Sequence, residues 1–312
     1  MTLLNLPKLA KGVKPGINRN EVYALEVFVP PLPEQKRIVA VLDKCFTAIN
    51  KAKENAKVCL SLSKALFESY LQEVFGSTGS PNEEEALTKA QRHGGKNYKP
   101  RTTRTNTNGW KMKRIIDVAS VINGYAFSSN DFKSNNSVKS IKITNVGVKE
   151  FVEENDNYLP EKYRNSLKEV QVKTGDIVIA LTRTIISAGL KVAVVPKNYN
   201  GALVNQRVAA LVANNKINQS YLYYYLSTSV VADYVLKHVN TLMQPNLSIN
   251  DLKNMPIPLP TLKEQQAIVR QLDALRADTQ KLEKVYQKKI ADLEELKKSI
   301  LQKAFAGELS IP

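Results

Sequence analysis

Residues Ile257–Val269 read IPLPTLKEQQAIV, and a close copy, PPLPEQKRIV, stands at Pro30–Val39. Aligned at Glu34 and Glu264, the two copies keep a constant offset without a gap from residue 15 to residue 75. An ungapped match of this length indicates an internal repeat, which is the first feature to settle in reading a fold. Identical residues recur along it, among them Pro15 and Pro245, Asp43 and Asp273, and Phe75 and Phe305.

Each copy predicts a proline-stiffened, extended segment that leads into a long helix. Proline is tolerated before and at a helix start, and Glu34 and Glu264 fall in the first turn, where the helix dipole favours an anion. No Pro or Gly follows until Gly76 in the first copy and Gly307 in the second. The sequence therefore predicts two helices of about 40 residues, each ~60 Å long at 1.5 Å per residue.

Heptad positions on the two helices predict that they pack closely against each other as a coiled coil. A surface helix that covers a single core is the alternative, but the predicted length exceeds that of usual globular helices. Cys45 and Cys59 lie in the stripe, where we expect small buried apolar residues rather than redox or metal groups. The residues predicted to pack are Leu42, Ile49, Leu66, Leu272, Leu275, Leu282, Leu293 and Leu296.

The charge of the chain indicates a polyanionic partner. The formal net charge is +16, and residues 110–260 hold 18 Lys and Arg against 11 Asp and Glu. Such an excess is typical of proteins that bind nucleic acid. A lysine-rich composition with no such partner is the alternative.

Between the two helices the pattern changes twice. Residues 77–109 are poor in large apolar residues and rich in Gly, Ser, Thr and Asn, which predicts a linker whose basic half is either a solvated tether or a phosphate contact. Residues 110–260 hold short β-branched runs of strand length such as IIDVASVI, GDIVIALT and LKVAVVP, followed by one helical stretch, SYLYYYLSTSVVADYVLKHV. They predict a mixed α+β domain.

Polar segments in this domain are candidates for contact with DNA. Arg reads guanine, Asn and Gln read adenine, and hydroxyls and lysines hold phosphates, while a glycine and aromatic rings allow close approach. Each segment alone could equally be a solvated loop. The candidate residues are Gly124, Tyr125, Phe127, Lys142, Asn145, Thr182, Arg183, Thr184, Lys191, Asn205, Gln206, Arg207, Gln244 and Asn246.

Signatures of catalysis are missing from the sequence. There is no G-x-x-x-x-G-K-[ST] phosphate loop and no G-x-G-x-x-G after a strand, and His93 and His238 lack partners at metal-ligand spacing. No long apolar run or signal-peptide pattern is present, and the two cysteines lie too far apart in one helix to bridge. We therefore expect a non-catalytic, metal-free binding protein of the cytoplasm.

Four stretches together carry a resemblance to a known family: VKTGDIVIALTRT, ALVNQRVAAL…INQSYLYYYL, MQPNLSINDLKNMPIPLPTLKEQQAIV and GWKMKRIIDVASVINGYAF. With the repeated helix entry, the chain resembles the specificity subunit of type I restriction–modification enzymes. The resemblance implies a sequence-specific DNA-binding subunit in which recognition domains alternate with spacer helices that pair as an antiparallel coiled coil. It also implies partners: double-stranded DNA, modification (methyltransferase) subunits and restriction subunits, with S-adenosylmethionine, ATP and Mg expected in those subunits and none in this chain.

The chain departs from that family in carrying one complete recognition domain. We expect residues 1–29 to be the tail of a first recognition domain, 30–76 a spacer helix, 77–109 a linker, 110–260 the target-recognition domain and 261–312 the second spacer helix. A reader of half a bipartite site is expected to act as a homodimer on a palindromic, interrupted sequence. A decoy that binds modification subunits without directing methylation is the alternative.

Overall fold

Two long helices and a mixed sheet domain make up the structure, which is a computed structural model. It describes residues 19–23, 29–76, 110–156, 158–238 and 246–308. The predicted linker 77–109, most of the predicted tail 1–29, His93 and Gln244 lie outside the described residues. The chain divides into a helix unit, Met1–Leu66 with Ala277–Pro312, and a mixed unit, Phe67–Arg276, so that the division falls within both long helices.

The helices are α1 (Arg19–Tyr23), α2 (Leu32–Phe75), α3 (Ile115–Val118), α4 (Lys162–Ser166), α5 (Gln219–Leu226), α6 (Ser229–His238), α7 (Ile249–Asn254) and α8 (Leu262–Ala306). The strands are β1 (Lys111–Arg114), β2 (Ala119–Asn123), β3 (Val138–Ile141), β4 (Tyr158–Leu159), β5 (Ile177–Ala180), β6 (Ile185–Ile186), β7 (Gly189–Leu190), β8 (Val192–Val194), β9 (Leu203–Val204), β10 (Val208–Ala213) and β11 (Pro256–Leu259). No helix of the described ranges is long and apolar enough to cross a membrane.

The two long helices pair antiparallel within the helix unit. Lys297 lies over the ring of Phe46 (5.1 Å), and Lys53 forms an ion pair with Glu294. Further along, Cys59 lies close enough to Tyr286 to raise the pKa of that tyrosine. From Phe46 to Cys59 along α2, the paired residue on α8 moves back from Lys297 to Tyr286, as antiparallel packing requires. The predicted fold class, α+β with two long antiparallel helices, is confirmed.

The buried stripe of α8 keeps one of the two predicted heptad positions, and the other is displaced by one residue. Thr279 is buried, and Glu283, Ile290 and Lys297 are half-buried, whereas Leu282 and Leu296 are exposed. On α2, Ile49, Ala56 and Ser63 are buried and Leu66 is exposed. The prediction was therefore wrong for Leu66, Leu282 and Leu296, because hydrophobicity in a heptad cannot decide between adjacent positions when both are plausible contact sites. Of the other predicted packing residues, Leu272 is buried, and Leu42, Leu275 and Leu293 are half-buried.

The mixed unit is built on an antiparallel sheet with the order β2-β10-β5-β8. A second sheet, β4-β3-β9, contains the parallel pair β3–β9, and β1 pairs with β11 beside the start of α8. Both faces of β5 are buried, as expected for an apolar run without alternation. The result is a rigid frame whose strand ends position the polar segments.

The ends of both long helices belong to the core of the mixed unit. Leu71 and Phe75 from α2 and Val269 and Leu272 from α8 join the same buried cluster as the sheet and α5. The domain that the sequence bounds at 110–260 therefore lies inside a larger compact unit. Its apolar surface is completed by these helix ends.

Two predicted elements differ from the structure. Residues 220–239 do not form one helix, since α5 ends at Leu226 and α6 begins at Ser229. The hydroxyls of Ser227 and Thr228 donate to the carbonyls of Tyr223 (2.8 Å) and Tyr225 (2.7 Å), a local alternative to the helical ladder. The apolar run IIDVASVI, predicted as a strand, begins as the short helix α3 before it becomes β2.

Candidate nucleic-acid interface

Most of the predicted contact segments lie at one edge of the antiparallel sheet. Because β10 runs antiparallel to β2 and β5, its start lies beside their ends, and the start of β8 lies beside the end of β5. These are the points where the segments NGYAF, VNQRV, LTRT and Lys191 stand. We call this set the polar edge: Gly124–Tyr125, Leu181–Thr184, Lys191 and Asn205–Arg207.

Backbone hydrogen bonds join the segments of the polar edge. The N–H of Tyr125 donates to the carbonyl of Val204 and the N–H of Gln206 donates to that of Tyr125, both at 2.9 Å. A parallel bridge links Tyr125 and Asn205. Gly124 is required here, since a Cβ on it would stand 2.0 Å from the carbonyl oxygen of Asn205.

Backbone hydrogen bonds link the LTRT segment to two other parts of the polar edge, Arg207 and Lys191. The N–H of Leu181 donates to the carbonyl of Arg207 (2.9 Å), and that of Lys191 donates to the carbonyl of Thr184 (2.9 Å). The N–H of Leu247 donates to the carbonyl of Leu181 (2.8 Å), which brings the exposed Asn246 to the same place. Of the predicted residues, only Gln244 lies outside the described ones.

Several side chains on this edge reach solvent. Tyr125, Arg183, Gln206 and Arg207 are exposed, and Thr182 and Asn205 are half-buried. Arg183 has a left-handed backbone, φ 48°, which is uncommon for a residue with a side chain. Backbone strain of this kind persists only where surrounding contacts impose it.

Two lysines, Lys191 in the polar edge and Lys142 outside it, are held in constrained positions. Lys191 is half-buried, and its ammonium donates to the carbonyl of Ile143 (2.7 Å). Burial, followed by the positive charge of Arg183, lowers the pKa of Lys191. The ammonium of Lys142 stands 3.8 Å from the ring centre of Phe132. Positive charge is therefore concentrated here, and these two ammonium groups are held by neighbouring groups.

Three predicted contact residues are buried instead, and the prediction of DNA contact is corrected for them. Phe127 packs edge-on against Tyr163 (5.2 Å) and Phe132 (6.2 Å). The Asn145 side chain accepts from the N–H of Lys142 (2.8 Å) and donates to the carbonyl of Val152 (2.9 Å). Thr184 is fully buried. The physical reason is the same for all three. Each side chain points into the interior of the domain and packs beneath a neighbouring exposed residue.

Tyr163 and Asp131, which the sequence did not predict as site residues, support the polar edge through Phe127. The hydroxyl of Tyr163 donates to Oδ2 of Asp131 (2.7 Å), and that bond, with burial second, raises the pKa of the tyrosine. The ring of Tyr125 lies 5.1 Å from that of Phe127, which rests on Tyr163. Nothing in the local sequence around Tyr163 signals this contact, because it joins residues far apart in the chain.

Clusters that could hold a metal are absent from the described residues, where no three His, Cys, Asp or Glu side chains come together. Asp176, which follows a turn glycine, accepts from the N–H of Lys173 (2.7 Å) and so closes that turn. The site as described offers hydrogen-bond donors, acceptors and positive charge. This chemistry suits binding of a nucleic acid, whose phosphates are negatively charged and whose base edges donate and accept hydrogen bonds.

A basic polar edge on a mixed domain, combined with a long antiparallel helix pair, is typical of a binding protein. The family model for the type I restriction modification DNA specificity domain matches residues 107–294, more than half of the chain. The chain therefore belongs to that family, and the resemblance inferred from its motifs is confirmed.

Individual relatives agree with this assignment. The chain is 26% identical over 303 residues to the type I restriction enzyme MjaVIII specificity subunit of Methanocaldococcus jannaschii, covering 95% of this chain and 65% of the relative. It is 24% identical over 283 residues to the EcoBI specificity subunit of Escherichia coli, covering 90% and 58%. The chain thus spans roughly two thirds or less of the length of these curated relatives.

Solved structures show the same fold. The HsdS subunit from Thermoanaerobacter tengcongensis matches with a TM-score of 0.58 at 22% identity, covering 98% of this chain and 68% of that one. A chain from a structure of a type I R-M system matches with a TM-score of 0.70 at 22% identity, covering 98% and 67%.

Proposed function

We propose that this chain is a DNA-specificity subunit of a type I restriction–modification system and reads one half of a bipartite site. The observation that carries the proposal is the convergence of four separate segments on one basic edge, with Tyr125, Arg183, Gln206 and Arg207 exposed side by side. Family membership supports the same reading. The chain supplies recognition, and the methylation chemistry belongs to a partner.

The exposed side chains have complementary roles in this proposal. Arg183 and Arg207 offer paired N–H donors that match the O6 and N7 acceptors of guanine, and Gln206 and Asn205 match adenine. Lys142 and Lys191, held by an aromatic ring and by a carbonyl, are placed for phosphates. The half-buried Thr182 and the exposed Asn246 complete the surface. A pre-ordered edge lowers the entropy cost of binding.

Partners follow from the helix pair. Exposed apolar residues on it, among them Leu62, Leu66, Val285 and Leu296, offer surface to modification subunits or to a second copy. We propose a two-fold homodimer that sets two reading edges on one interrupted palindrome, in association with methyltransferase and restriction subunits. S-adenosylmethionine, ATP and Mg serve those partners, and the assembly works in the cytoplasm.

Binding to DNA is tested directly with arginine variants. Arg183→Ala and Arg207→Ala are each expected to reduce discrimination between target and non-target duplexes by about 1–3 kcal/mol. The control is Lys173→Ala, which removes a positive charge from an exposed residue before β5, at the opposite edge of the sheet. Equal discrimination by all three variants and the parent chain would rule out the polar edge as the reader.

The biological role is tested by sequencing methyladenine. The chain is expressed with its modification subunit in a host free of DNA methylation. A palindromic, interrupted methylated motif is the expected result. A stable complex with the modification subunit but no methylation would replace the proposal with a decoy. A light-scattering mass of one chain at micromolar concentration, with and without DNA, would contradict the homodimer.

A further inference from the structure

The middle of the helix pair is strongly basic. Residues 57–64 of α2 and residues 281–288 of α8 together hold five lysines and one acidic residue, Glu283. All of them belong to the helix unit. The lysines are Lys57, Lys64, Lys281, Lys284 and Lys288.

The two basic stretches lie level with each other along the helix pair. Cys59 of α2 lies close to Tyr286 of α8. Because the helices run antiparallel, two steps back along α2 correspond to two steps forward along α8. Lys57 therefore stands level with Lys288, and Lys64 stands level with Lys281.

The lysines of α2 lie on one side of the contact between the helices. The ion pair between Lys53 and Glu294 crosses from one helix to the other and marks that side. Lys57 and Lys64 follow Lys53 by four and eleven residues, which are spacings that return to the same face of a helix. Both are exposed.

The lysines of α8 lie on the same side. Lys284 precedes Glu294 by ten residues, close to three helical turns, and Lys281 and Lys288 lie three and four residues from Lys284. All three are exposed. We call the five lysines of the two helices the basic strip.

The exposed leucines of this part of the helix pair lie on the other side, which the contact between Cys59 and Tyr286 marks. Leu62 and Leu66 follow Cys59 by three and seven residues, and Leu282 precedes Tyr286 by four. The leucine side, rather than the basic strip, has the apolar character that is usual at the centre of a protein–protein interface.

The charge of the basic strip is largely left without a partner inside the described chain. Lys57 forms an ion pair with Glu54 (3.0 Å), while Glu294 is taken by Lys53. The other four lysines of the strip form no ion pair with a described residue. Like charges three and four residues apart repel each other on a helix, so a polyanion bound here would relieve that repulsion.

The density of charge on the basic strip matches that of a nucleic acid duplex. The five lysines span seven residues of each helix, about 10 Å at 1.5 Å per residue, which gives one positive charge per about 2 Å. Duplex DNA carries one negative charge per about 1.7 Å of its axis. The strip contains lysines only, which contact phosphates as point charges, and none of the arginines that read guanine.

We propose that the basic strip binds the phosphate backbone of double-stranded DNA without regard to base sequence. The inference rests on the proposed function, to which it adds a second DNA-binding surface on the helix unit. The polar edge supplies discrimination between sequences, and the basic strip supplies affinity that depends on salt.

The test removes three charges from the basic strip of the full chain, as Lys64→Gln, Lys284→Gln and Lys288→Gln together. Glutamine keeps a helix propensity close to that of lysine, so the helix content by circular dichroism should not change. Fluorescence anisotropy then gives the affinity for a labelled random-sequence duplex of about 30 base pairs, which is longer than a helix of ~60 Å. The titration is repeated between about 50 and 200 mM salt.

The matched control removes three charges from the same two helices but outside the strip. Lys44 and Lys51 precede the exposed Val58 by fourteen and seven residues, and Lys289 follows Leu282 by seven, on the leucine side. All three lysines are exposed. The control chain carries Lys44→Gln, Lys51→Gln and Lys289→Gln.

The strip variant is expected to bind the random duplex at least about tenfold more weakly at about 50 mM salt. Its plot of log affinity against log salt should be less steep by about 2.7, since each lost phosphate contact removes about 0.9. The ratio of affinities for target and random duplexes should stay within about twofold, because phosphate contacts carry no sequence information. A charge-preserving variant with arginine at the same three positions should keep the parent slope.

Three results would overturn the proposal. One is an equal salt slope in the parent chain and the strip variant. Another is an equal loss in the strip variant and the control, which would mean that net charge alone sets the affinity. The third is unchanged DNA binding together with lost binding of the modification subunit, which would make the strip a docking surface for an acidic protein.

Failure of the proposed function gives a different result. A parent chain that binds every duplex equally, with a slope that still falls in the strip variant, would remove the polar edge as a reader and leave the basic strip as a DNA-binding surface. Discrimination lost in Arg183→Ala with an unchanged slope in the strip variant would support the reader and overturn the strip.

Discussion

Gly124 and Asn205 approach each other more closely than any other residue type at position 124 would allow. A Cβ on Gly124 would lie 2.0 Å from the carbonyl oxygen of Asn205 and 2.3 Å from its carbonyl carbon. Tyr125, the residue after Gly124, forms a parallel bridge with Asn205 itself. The contact therefore fixes where the exposed Tyr125 and Gln206 stand relative to each other.

Gly124→Ala is expected to push the two segments apart. The methyl group meets backbone rather than a flexible side chain, and overpacking of this kind costs about 1–3 kcal/mol. We expect a loss of unfolding free energy of that order and weaker DNA binding. Urea unfolding and titration of a target duplex measure the two effects. Asn123→Ala, at the exposed preceding residue, is the control, and unchanged DNA affinity of Gly124→Ala would contradict the prediction.

Arg183→Gly is expected to separate stability from function. The left-handed backbone at φ 48° is strained for arginine by about 1 kcal/mol, whereas glycine adopts it freely. The glycine variant should be more stable to urea than Arg183→Ala, which keeps the strain, although both lose the guanidinium and with it DNA discrimination. A glycine variant less stable than the alanine variant would show that the backbone there is not strained.

The observed stripe of α8 predicts unequal costs for placing a charge at two of its apolar residues, Ile290 and Leu296. Ile290 is half-buried, so Ile290→Asp partly removes a charge from water, at a cost of about 1–3 kcal/mol. Leu296 is exposed, and Leu296→Asp should change the unfolding free energy by less than about 0.5 kcal/mol. Thermal or urea unfolding of the two variants distinguishes the observed stripe from the predicted one. The predicted stripe contains Leu296 but not Ile290, so it predicts that Leu296→Asp is the more destabilising variant.

Tyr224 predicts a loss of stability in alkali. Burial, followed by its bond to Asp273 (2.5 Å), raises the pKa of Tyr224 to about 12. An unfolded chain ionises this tyrosine near pH 10 while the folded chain keeps it neutral. Its stabilising contribution is therefore complete below pH 10 and is lost between pH 10 and about 12, at about 1.4 kcal/mol per pH unit.

Tyr224→Phe measures that contribution. At pH 7 the variant should lose about 1 kcal/mol with the hydrogen bond, and above pH 10 the parent chain should lose its advantage as its own tyrosine opposes folding. Urea unfolding at pH 7, 9, 10 and 11 follows the difference. Tyr125→Phe, at an exposed tyrosine, is the control. A difference that does not vary with pH would mean that Tyr224 does not titrate in this way.

The candidate site was predictable from the sequence in its segments but not in its side chains. The sequence marked NGYAF, LTRT and VNQRV as polar segments, and antiparallel strand pairing brings them to one edge of the sheet. The inward direction of Phe127, Asn145 and Thr184 depends on partners such as Tyr163 and Val152. Such partners are distant in the chain, and local pattern carries no information about them.

The sequence by itself determined the repeat, the two long helices, the mixed class of the domain between them and the excess of positive charge. Those features arise from residue type and spacing, which act locally along the chain. Only the tertiary structure decided that the stripe of α8 runs through Ile290 rather than Leu296, and that Phe75 is buried while Phe305 is exposed. Two residues with the same local sequence differ in burial because burial is set by what packs over them, and in the described chain a sheet domain covers only one.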